Sequence, residues 1–403
     1  MRGSVATTAI VSAANVLTSI LLARHAGPAV LGEFVVLMAW AHAAFALLSP
    51  GFDQAYIRDP DSPGRWSAAV WLTLAQMAAI LVLPWIALAV ARAVWPAAAF
   101  GQLLLPFALL LLSIVLGVAG NLLLALLVVR LDYKRINAVR LGAALGSSAI
   151  CLGLSWRQDQ PDLWPFLARE LATGSLTLLP ALLLTAGLWP TWAAPSAQSL
   201  RNMLGFARDL WSLNALEKLI QRAEYLVLAQ VMPLSEVGAF YAVRALFDGV
   251  HGMLMVPVQT VLFAFMSRGH GVRSVIGLLQ PSWRLAQAVG AAVLVALVMG
   301  LLAPLFPVLF GPRYQTPAAL PISFTALIFL LSYYELVKVT LMSQGRHRAL
   351  IAGRLLQLVV LALAIPLLAA WGGLSGVAFA PVLAAAALCV IAWLVLRRQT
   401  VMA

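Results

Sequence analysis

The stretch QLLLPFALLLLSIVLGVAGNLLLALLVV, residues 102–129, contains no charged side chain over its whole length. About 20 apolar residues suffice for a helix to cross the roughly 30 Å of hydrocarbon in a bilayer. The stretch VAFAPVLAAAALCVIAWLVL, residues 377–396, has the same character. Both stretches therefore predict membrane-spanning helices.

The composition extends this interpretation to the whole chain. Of its 403 residues, 63% are hydrophobic and 10% are charged, whereas soluble proteins carry about 25% charged residues. Residues 1–23 are broken by several polar residues, so we interpret them as the first span and not as a cleaved signal peptide. Cys151 and Cys389 both fall within predicted spans, so packing is their expected role and a disulfide framework is not predicted.

Apolar runs between charged or Gly- and Pro-rich breaks predict an all-α, polytopic membrane helix bundle of about twelve spans. The predicted spans are 4–23, 33–50, 68–90, 103–128, 136–155, 164–188, 203–231, 237–265, 286–309, 318–341, 349–369 and 375–396. The seventh span, 203–231, is the most polar of them.

The distribution of basic residues predicts the orientation, because loops rich in Lys and Arg resist translocation. With the N-terminus inside, fourteen Lys and Arg residues fall on the inner side and four on the outer side. The four outer residues are Arg24, Arg92, Arg157 and Arg313. The bias places both termini in the cytoplasm and accounts for the formal net charge of +12 without a nucleic-acid partner.

An internal repeat appears at a spacing of 206 residues. Leu22, Ala23, Gly32 and Phe34 recur as Leu228, Ala229, Gly238 and Phe240. The basic turn before Arg140-Leu141 also has a counterpart before Arg354-Leu355. We therefore expect two six-helix, pseudo-symmetric lobes, 1–189 and 203–403, joined by a cytoplasmic linker, 190–202, and related by an axis along the membrane normal. Chance similarity between apolar sequences is the alternative.

Polar residues at membrane depth usually face a bundle interior or a water-filled pathway. Three predicted spans carry such stripes, and they supply the candidate cavity residues. In span 1 the stripe is Thr8, Ser12, Asn15 and Ser19; in span 7 it is Asn214, Glu217, Lys218, Gln221, Arg222 and Tyr225; in span 8 it is Arg244, Asp248 and His251. Interhelical hydrogen bonding in span 1, and an interfacial position for part of span 7, are the structural alternatives.

His251 adds a group that titrates near neutral pH beside Asp248, so Asp248 and His251 are candidates for a proton-coupled step. A membrane histidine that is merely hydrogen-bonded is the alternative. In span 7, Glu217 is expected to neutralise a neighbouring cation.

Several enzyme classes have no support in the sequence. None of the three lysines follows a glycine, so the Gly-Lys of a phosphate-binding P-loop is missing. The five histidines are dispersed and form no metal motif, and the predicted inter-helix connections leave no room for a soluble catalytic domain. We therefore expect a protein that is not an enzyme and that needs no cofactor or metal.

The chain resembles the lipid-linked oligosaccharide flippases, the polysaccharide-export branch of the multidrug/oligosaccharidyl-lipid/polysaccharide transporter superfamily. The residues that carry the resemblance in the first half are Leu21–Arg24, Gly27-Pro28, Leu31–Phe34, Gly51-Phe52, Ala55 and Arg58. Those in the second half are Tyr225–Ala229, Val237–Tyr241, Leu309–Gly311 and Tyr314.

The resemblance implies an inner-membrane protein with a cationic central cavity, which moves a lipid-diphosphate-linked sugar to the outer leaflet by alternating access. Arg24 and Arg244 fall at positions where the family has cavity-lining cations, and Arg222 suits the same cavity. The implied partners are the lipid-linked oligosaccharide, membrane lipid and polysaccharide-assembly proteins. A drug/cation antiporter of the same superfamily and a membrane-embedded glycosyltransferase or polymerase are the alternatives.

Overall fold

The computed structural model describes residues 2–62, 64–94, 104–157, 162–190, 192–267, 303–343 and 346–402, and these residues are helical with no β-strand. The long helices of the first half are α1 (Arg2–Ala26), α2 (Pro28–Leu47), α4 (Arg65–Val94), α5 (Leu104–Val129), α6 (Tyr133–Ser155) and α7 (Trp164–Thr185). Those that follow are α8 (Ala197–Val231), α9 (Leu234–Ser267), α11 (Ala319–Ser343), α12 (His347–Val377) and α13 (Ala380–Met402).

The predicted polytopic membrane helix bundle is confirmed. Each predicted span except the ninth coincides with one of these long helices, and within the described part of the chain seven helices are long and apolar enough to cross a membrane. Residues 286–302 of the ninth span lie outside the described residues. Its last residues form a 3-10 turn and a short helix, α10 (Phe306–Phe310), because Pro304 and Pro307 interrupt regular helix formation there.

Short connections between the helices follow from local chemistry. Gly27, with φ 80, ends α1 in the left-handed conformation, and Pro28 begins α2, the positions these two residues favour. Between α5 and α6 the chain reverses at Leu131, whose φ is 58. The side chain of Asp132 then caps α6 by accepting a hydrogen bond from the Arg135 backbone N–H at 3.2 Å.

Two features differ from the predicted loops. A short helix, α3 (Phe52–Arg58), follows α2 and buries Phe52, Ala55 and Tyr56. Burial and the neighbouring Asp61 raise the pKa of Tyr56, so its phenol stays neutral. In α12 the break predicted near residues 370–374 is a kink at Gly373, with φ 53 and ψ −138, and the helix continues to Val377.

The chain divides into two compact units. The first unit comprises Met1–Thr18 and Val36–Arg222, and the second comprises Ser19–Val35 and Ala223–Ala403. In the first unit α7 packs on both α5 and α6, and α4 packs on α5. In the second unit α11 packs on α9, α12 and α13. The lobe boundaries at residues 189 and 203 stay a prediction.

Within the second unit the repeat-related glycines meet each other. A Cβ on Gly32 would collide with the Leu234 carbonyl, and a Cβ on Gly238 would collide with the Pro28 carbonyl. The 206-residue offset that relates Gly32 to Gly238 also relates Pro28 to Leu234, so the two contacts are reciprocal. Reciprocal contacts of this kind are what a local two-fold axis between α2 and α9 produces, and they support a genuine repeat over chance similarity.

The corner between α1 and α2 is held by the loop that follows α10. The Tyr314 hydroxyl donates a hydrogen bond to the Ala23 carbonyl at 2.9 Å. Burial raises the pKa of Tyr314, so the phenol keeps its proton and remains a donor. This contact fixes the end of α1 beside the glycine contact.

We expect Gly32→Ala and Gly238→Ala each to destabilise the protein, because an added methyl group must push α2 and α9 apart. Overpacking of this kind costs about 1–3 kcal/mol. Thermal unfolding in detergent, followed by fluorescence-detected size exclusion, measures the effect. Gly252→Ala on α9 is the matched control, since a Cβ there meets no atom within 4 Å. A Gly238→Ala melting curve that superposes on the control would contradict the close approach.

Candidate functional site

A polar cavity of about 300 Å³ lies inside the first unit, between α1, α6 and α7. Three of the residues that line it have apolar side chains, six have hydroxyl or amide groups, and one is an arginine. They are Thr7, Val11, Ser12 and Asn15 of α1, Asn137, Arg140, Ala143 and Ala144 of α6, and Thr173 and Thr177 of α7. Within the described part of the chain, the lining contains one cation and no carboxylate.

The helical repeat places these side chains together. Thr7, Val11 and Asn15 are four residues apart on α1, and Thr173 and Thr177 are four residues apart on α7, so each set shares one helix face. Close contacts hold α7 in position, because a Cβ on Gly174 would lie 2.7 Å from the Ser113 carbonyl of α5. The cavity wall is therefore set by close backbone packing and not by flexible loops.

Arg169 of α7 contacts Asn15 in the α1 wall of the cavity. Its guanidinium donates a hydrogen bond to Asn15 Oδ1 at 2.8 Å. Arg169 therefore finds a hydrogen-bond partner on another helix. Glu170 lies within electrostatic range of Arg169 and Arg222, so the charge of Arg169 is partly balanced.

Arg140 differs from Arg169. It is the eighth residue of α6, about 10 Å along the helix from its start, and it is exposed to the cavity. Among the described residues it forms no hydrogen bond or ion pair. The positive charge of the cavity therefore rests chiefly on Arg140.

The charged face predicted for the seventh span lies on α8. The Lys218 ammonium sits 4.7 Å from the centre of the Phe45 ring and within electrostatic range of Asp53, Arg222 and Glu217. Glu217 and Arg222 are half-buried. Asp53 belongs to the unpredicted helix α3, so the sequence alone did not supply this neighbour of Lys218.

A buried charge cluster occupies the second unit. Arg244 donates to Asp248 at 2.9 Å and pairs with Glu224 at 3.4 Å, while its guanidinium carbon lies 5.4 Å from the centre of the Phe324 ring. Glu224 and Arg244 are buried, whereas Asp248 keeps 54% of its side chain exposed. His251 is half-buried one turn further on, and its coupling role stays a prediction.

A second cluster lies between α11 and α12. Glu335 is 3.4 Å from Lys338 and 3.8 Å from Arg354. Arg354 also donates to Gln357 at 2.8 Å and lies 4.4 Å from the centre of the Tyr334 ring. Glu335 therefore pairs both with the lysine one turn further along its own helix and with Arg354 of α12.

Arg24 occupies the last turn of α1, in the second unit. Its side chain is exposed, and its aliphatic part lies beside Gly311. A cation at a helix C-terminus interacts favourably with the helix dipole, so part of its role is local. The exposed guanidinium remains accessible to an anionic ligand.

The sequence identified part of this arrangement. Ser12 and Asn15 line the cavity, whereas Ser19 lies in the second unit and the side chain of Thr8 is outside the described residues. Sequence reasoning missed Asn137, Arg140 and the two threonines of α7. It also missed the pairing of Glu224 with Arg244. These two residues lie on either side of the turn between α8 and α9, and residues placed in this way on antiparallel helices can face each other.

Comparison with known sequences gives one family. Residues 21–272 match the sequence profile of a family described as polysaccharide biosynthesis protein. No protein of curated function matches the chain.

Solved structures of low sequence identity share the fold. A structure titled "Lipid II flippase MurJ, inward closed conformation" aligns with a TM-score of 0.73 and 10% identity, over 97% of this chain and 86% of that one. An inward-facing multidrug resistance MATE family transporter of the MOP superfamily aligns with a TM-score of 0.61 and 14% identity, over 99% and 94%. A MOP superfamily transporter from Pyrococcus furiosus, whose title describes a binding pocket of reverse polarity, aligns with a TM-score of 0.56 and 13% identity, over 98% and 94%.

We expect Arg244→Ala to lower the free energy of unfolding by about 3–5 kcal/mol, because it leaves the buried Glu224 carboxylate without its partner. Asp248→Asn, on the exposed side of the same cluster, should cost less than about 1 kcal/mol. Melting temperatures of the purified variants in detergent measure both effects.

The double variant Glu224→Gln/Arg244→Gln separates charge from packing, since it leaves no uncompensated buried charge and only the exposed Asp248 loses its partner. It should regain much of the stability lost in Arg244→Ala. An Arg244→Ala variant as stable as Asp248→Asn would show that the buried pair contributes nothing to folding.

Proposed function

The chain belongs to the polysaccharide biosynthesis protein family, and from that premise we propose that it is a flippase for a lipid-diphosphate-linked oligosaccharide. It carries its substrate from the cytoplasmic to the outer leaflet of the inner membrane by alternating access, and the product feeds surface polysaccharide export. The protein is a multi-pass membrane protein of the transporter type shared by MurJ and the MATE proteins.

One observation carries the proposal: the cavity between α1, α6 and α7 offers one arginine, several hydroxyl and amide groups, and no carboxylate. A lipid diphosphate is negatively charged and its sugars are rich in hydroxyl groups. Guanidinium groups bind phosphate oxygens in a fixed bidentate geometry, and neutral hydroxyl and amide groups match sugar hydroxyls. The chemistry of this lining therefore suits an anionic, sugar-bearing headgroup.

The three arginines selected from the sequence have different roles in this proposal. Arg24 is exposed at the end of α1 and is available to contact a diphosphate. Arg222 is half-buried on α8, beside Lys218 and Glu170. Arg244 already neutralises Glu224 and Asp248, so it contacts a headgroup only if Asp248 releases it.

Transport without covalent chemistry is consistent with the location of the polar residues in this chain. Its functional polar groups lie within membrane helices, and the energy for transport is then an ion gradient or the membrane potential. The excess of basic residues in the predicted inner loops supports an inner-membrane location with both termini in the cytoplasm. Polysaccharide-assembly proteins are the partners expected at the outer leaflet.

The likeness to MATE transporters supports drug/cation antiport as a second candidate function. A cavity for a cationic drug is expected to carry net negative charge, and the lining described above carries none. A membrane-embedded glycosyltransferase is a weaker candidate, because the connection between α6 and α7 is too short for an outer catalytic loop. The sign of the charge in the cavity is the property that distinguishes the flippase from the antiporter.

We expect proteoliposomes containing the purified protein to transfer a fluorescent polyprenyl-diphosphate oligosaccharide between leaflets, and Arg24→Ala and Arg222→Ala each to slow this transfer about tenfold or more. Loss of a charge-assisted contact to phosphate has an effect of that size. Accessibility of the labelled lipid to an external quencher measures transfer.

Arg201→Ala is the matched control, because Arg201 is exposed on the first turns of α8, away from Arg222. It should transfer lipid at the wild-type rate. Efflux of cationic dyes with no lipid transfer would instead support the antiporter, and formation of a glycosidic bond by the purified protein would support an enzyme.

A further inference from the structure

The cavity in the first unit has two chemically different walls. On the α1 and α6 side, Asn15 Oδ1 already accepts a hydrogen bond from Arg169 at 2.8 Å, so the NH2 group of Asn15 is the part left for a ligand. Arg140 on the same side is a donor only. Thr7, Ser12 and Asn137 line the same side and can each donate or accept a hydrogen bond. Arg140 and the NH2 group of Asn15 therefore give this wall its positive charge and donors.

The α7 wall has the opposite character. The Thr173 hydroxyl donates to the Arg169 carbonyl at 2.8 Å, and the Thr177 hydroxyl donates to the Thr173 carbonyl at 2.7 Å. A threonine hydroxyl has one hydrogen and two lone pairs, so both oxygens face the cavity as acceptors. A ligand that presents acceptors to Arg140 and Asn15 and donors to Thr173 and Thr177 is complementary to both walls.

In the second half of the chain, an arginine at the same place in its helix is neutralised by a carboxylate. Arg354 is the eighth residue of α12, as Arg140 is the eighth residue of α6. Arg354 is buried against Glu335 of the preceding helix α11, whereas α5, the helix before α6, has no acidic residue. The two arginines occupy the same place in their own helices, although their offset of 214 residues exceeds the 206 of the glycine repeat. The first one keeps its charge for the cavity.

The volume limits the size of the ligand. Binding sites for small molecules begin at about 300 Å³, the volume of this cavity. That volume accommodates about one monosaccharide with an attached phosphate.

We propose that this cavity is a sugar-phosphate subsite, which binds the phosphate through Arg140 and Asn15 and the hydroxyls of the attached sugar through Thr173 and Thr177. The phosphate oxygens are acceptors, and the sugar hydroxyls are donors, so each wall meets its complement. This rests on the proposed function and deepens it, because it makes the phosphate-proximal sugar the unit that the transporter recognises.

Binding of hexose 1-phosphate, inorganic phosphate and free hexose to the full-length protein in detergent tests the proposal, with affinities from isothermal titration calorimetry. Arg140→Ala should weaken both phosphate-containing ligands about tenfold or more. The double variant Thr173→Val/Thr177→Val should weaken hexose 1-phosphate about three- to tenfold and leave inorganic phosphate within twofold of wild type.

Two matched controls lie on the same helices. Arg135→Ala removes an arginine of α6 that is paired with Asp132 outside the cavity, and Thr185→Val removes an α7 threonine that also donates to a backbone carbonyl. Both controls should bind like the wild type. Arg140→Ala within twofold of the wild type, or equal weakening of both ligands by the threonine variant, would overturn the assignment.

Competition distinguishes the source of the phosphate. A polyprenyl-diphosphate hexose should displace hexose 1-phosphate from the wild type, and failure to do so would overturn the assignment to a lipid headgroup in favour of a free sugar phosphate. Binding with these properties in a protein that moves no lipid would overturn the flippase and keep the subsite. Lipid transfer that is unchanged in Arg140→Ala, together with unchanged binding, would overturn the subsite and keep the flippase.

Discussion

A charged side chain in hydrocarbon needs a partner or access to water, and this requirement organises the protein. A bilayer core offers no water to solvate an ionised group, so unpaired charges on lipid-facing helices are too costly to persist. Each arginine in a membrane helix must therefore be paired with a carboxylate or exposed to a cavity. Arg244 and Arg354 take the first course and Arg140 takes the second.

This distinction separates structural arginines from those available to a ligand, which the sequence alone does not do. Arg244 was selected from the sequence because it lies in a membrane helix, but its partners Glu224 and Asp248 show that its charge is already satisfied. Arg140 lies near a predicted helix end and looks like an ordinary interfacial residue in the sequence. Its value as a binding group depends on the absence of an acid from α5, which is visible only when α5, α6 and α7 are packed together.

Hydropathy and turn chemistry were sufficient for most of the fold. The spans were predictable because a helix that crosses a membrane must be apolar over its whole length, whatever it packs against. Helix breaks such as Gly27-Pro28 were also predictable, because a turn is determined by a few neighbouring residues. The short helix α3 was missed because its seven residues carry too little periodicity to distinguish a helix from a loop.

The cavity was only partly predictable because it depends on contacts between distant parts of the chain. Asn15 and Arg169 are 154 positions apart, and no sequence pattern in either helix predicts their contact. Ser12 and Asn15 of the predicted α1 stripe line the cavity, but their complement on α7 consists of two threonines whose hydroxyls donate to backbone carbonyls. Such residues are typical of any membrane helix, so their contribution appears only in the packed structure.

The repeat explains why one scaffold can hold such different environments. The reciprocal contact of Gly32 and Gly238 involves backbone atoms, so it constrains the positions of α2 and α9 and leaves most side chains free to diverge. Arg140 and Arg354 occupy the same place in their helices, yet one acid, Glu335, changes the second from a possible ligand contact into part of the packed interior. A symmetric backbone with asymmetric charges confines the exposed charge of this arginine pair to the first unit, where we propose that the phosphate of the headgroup binds.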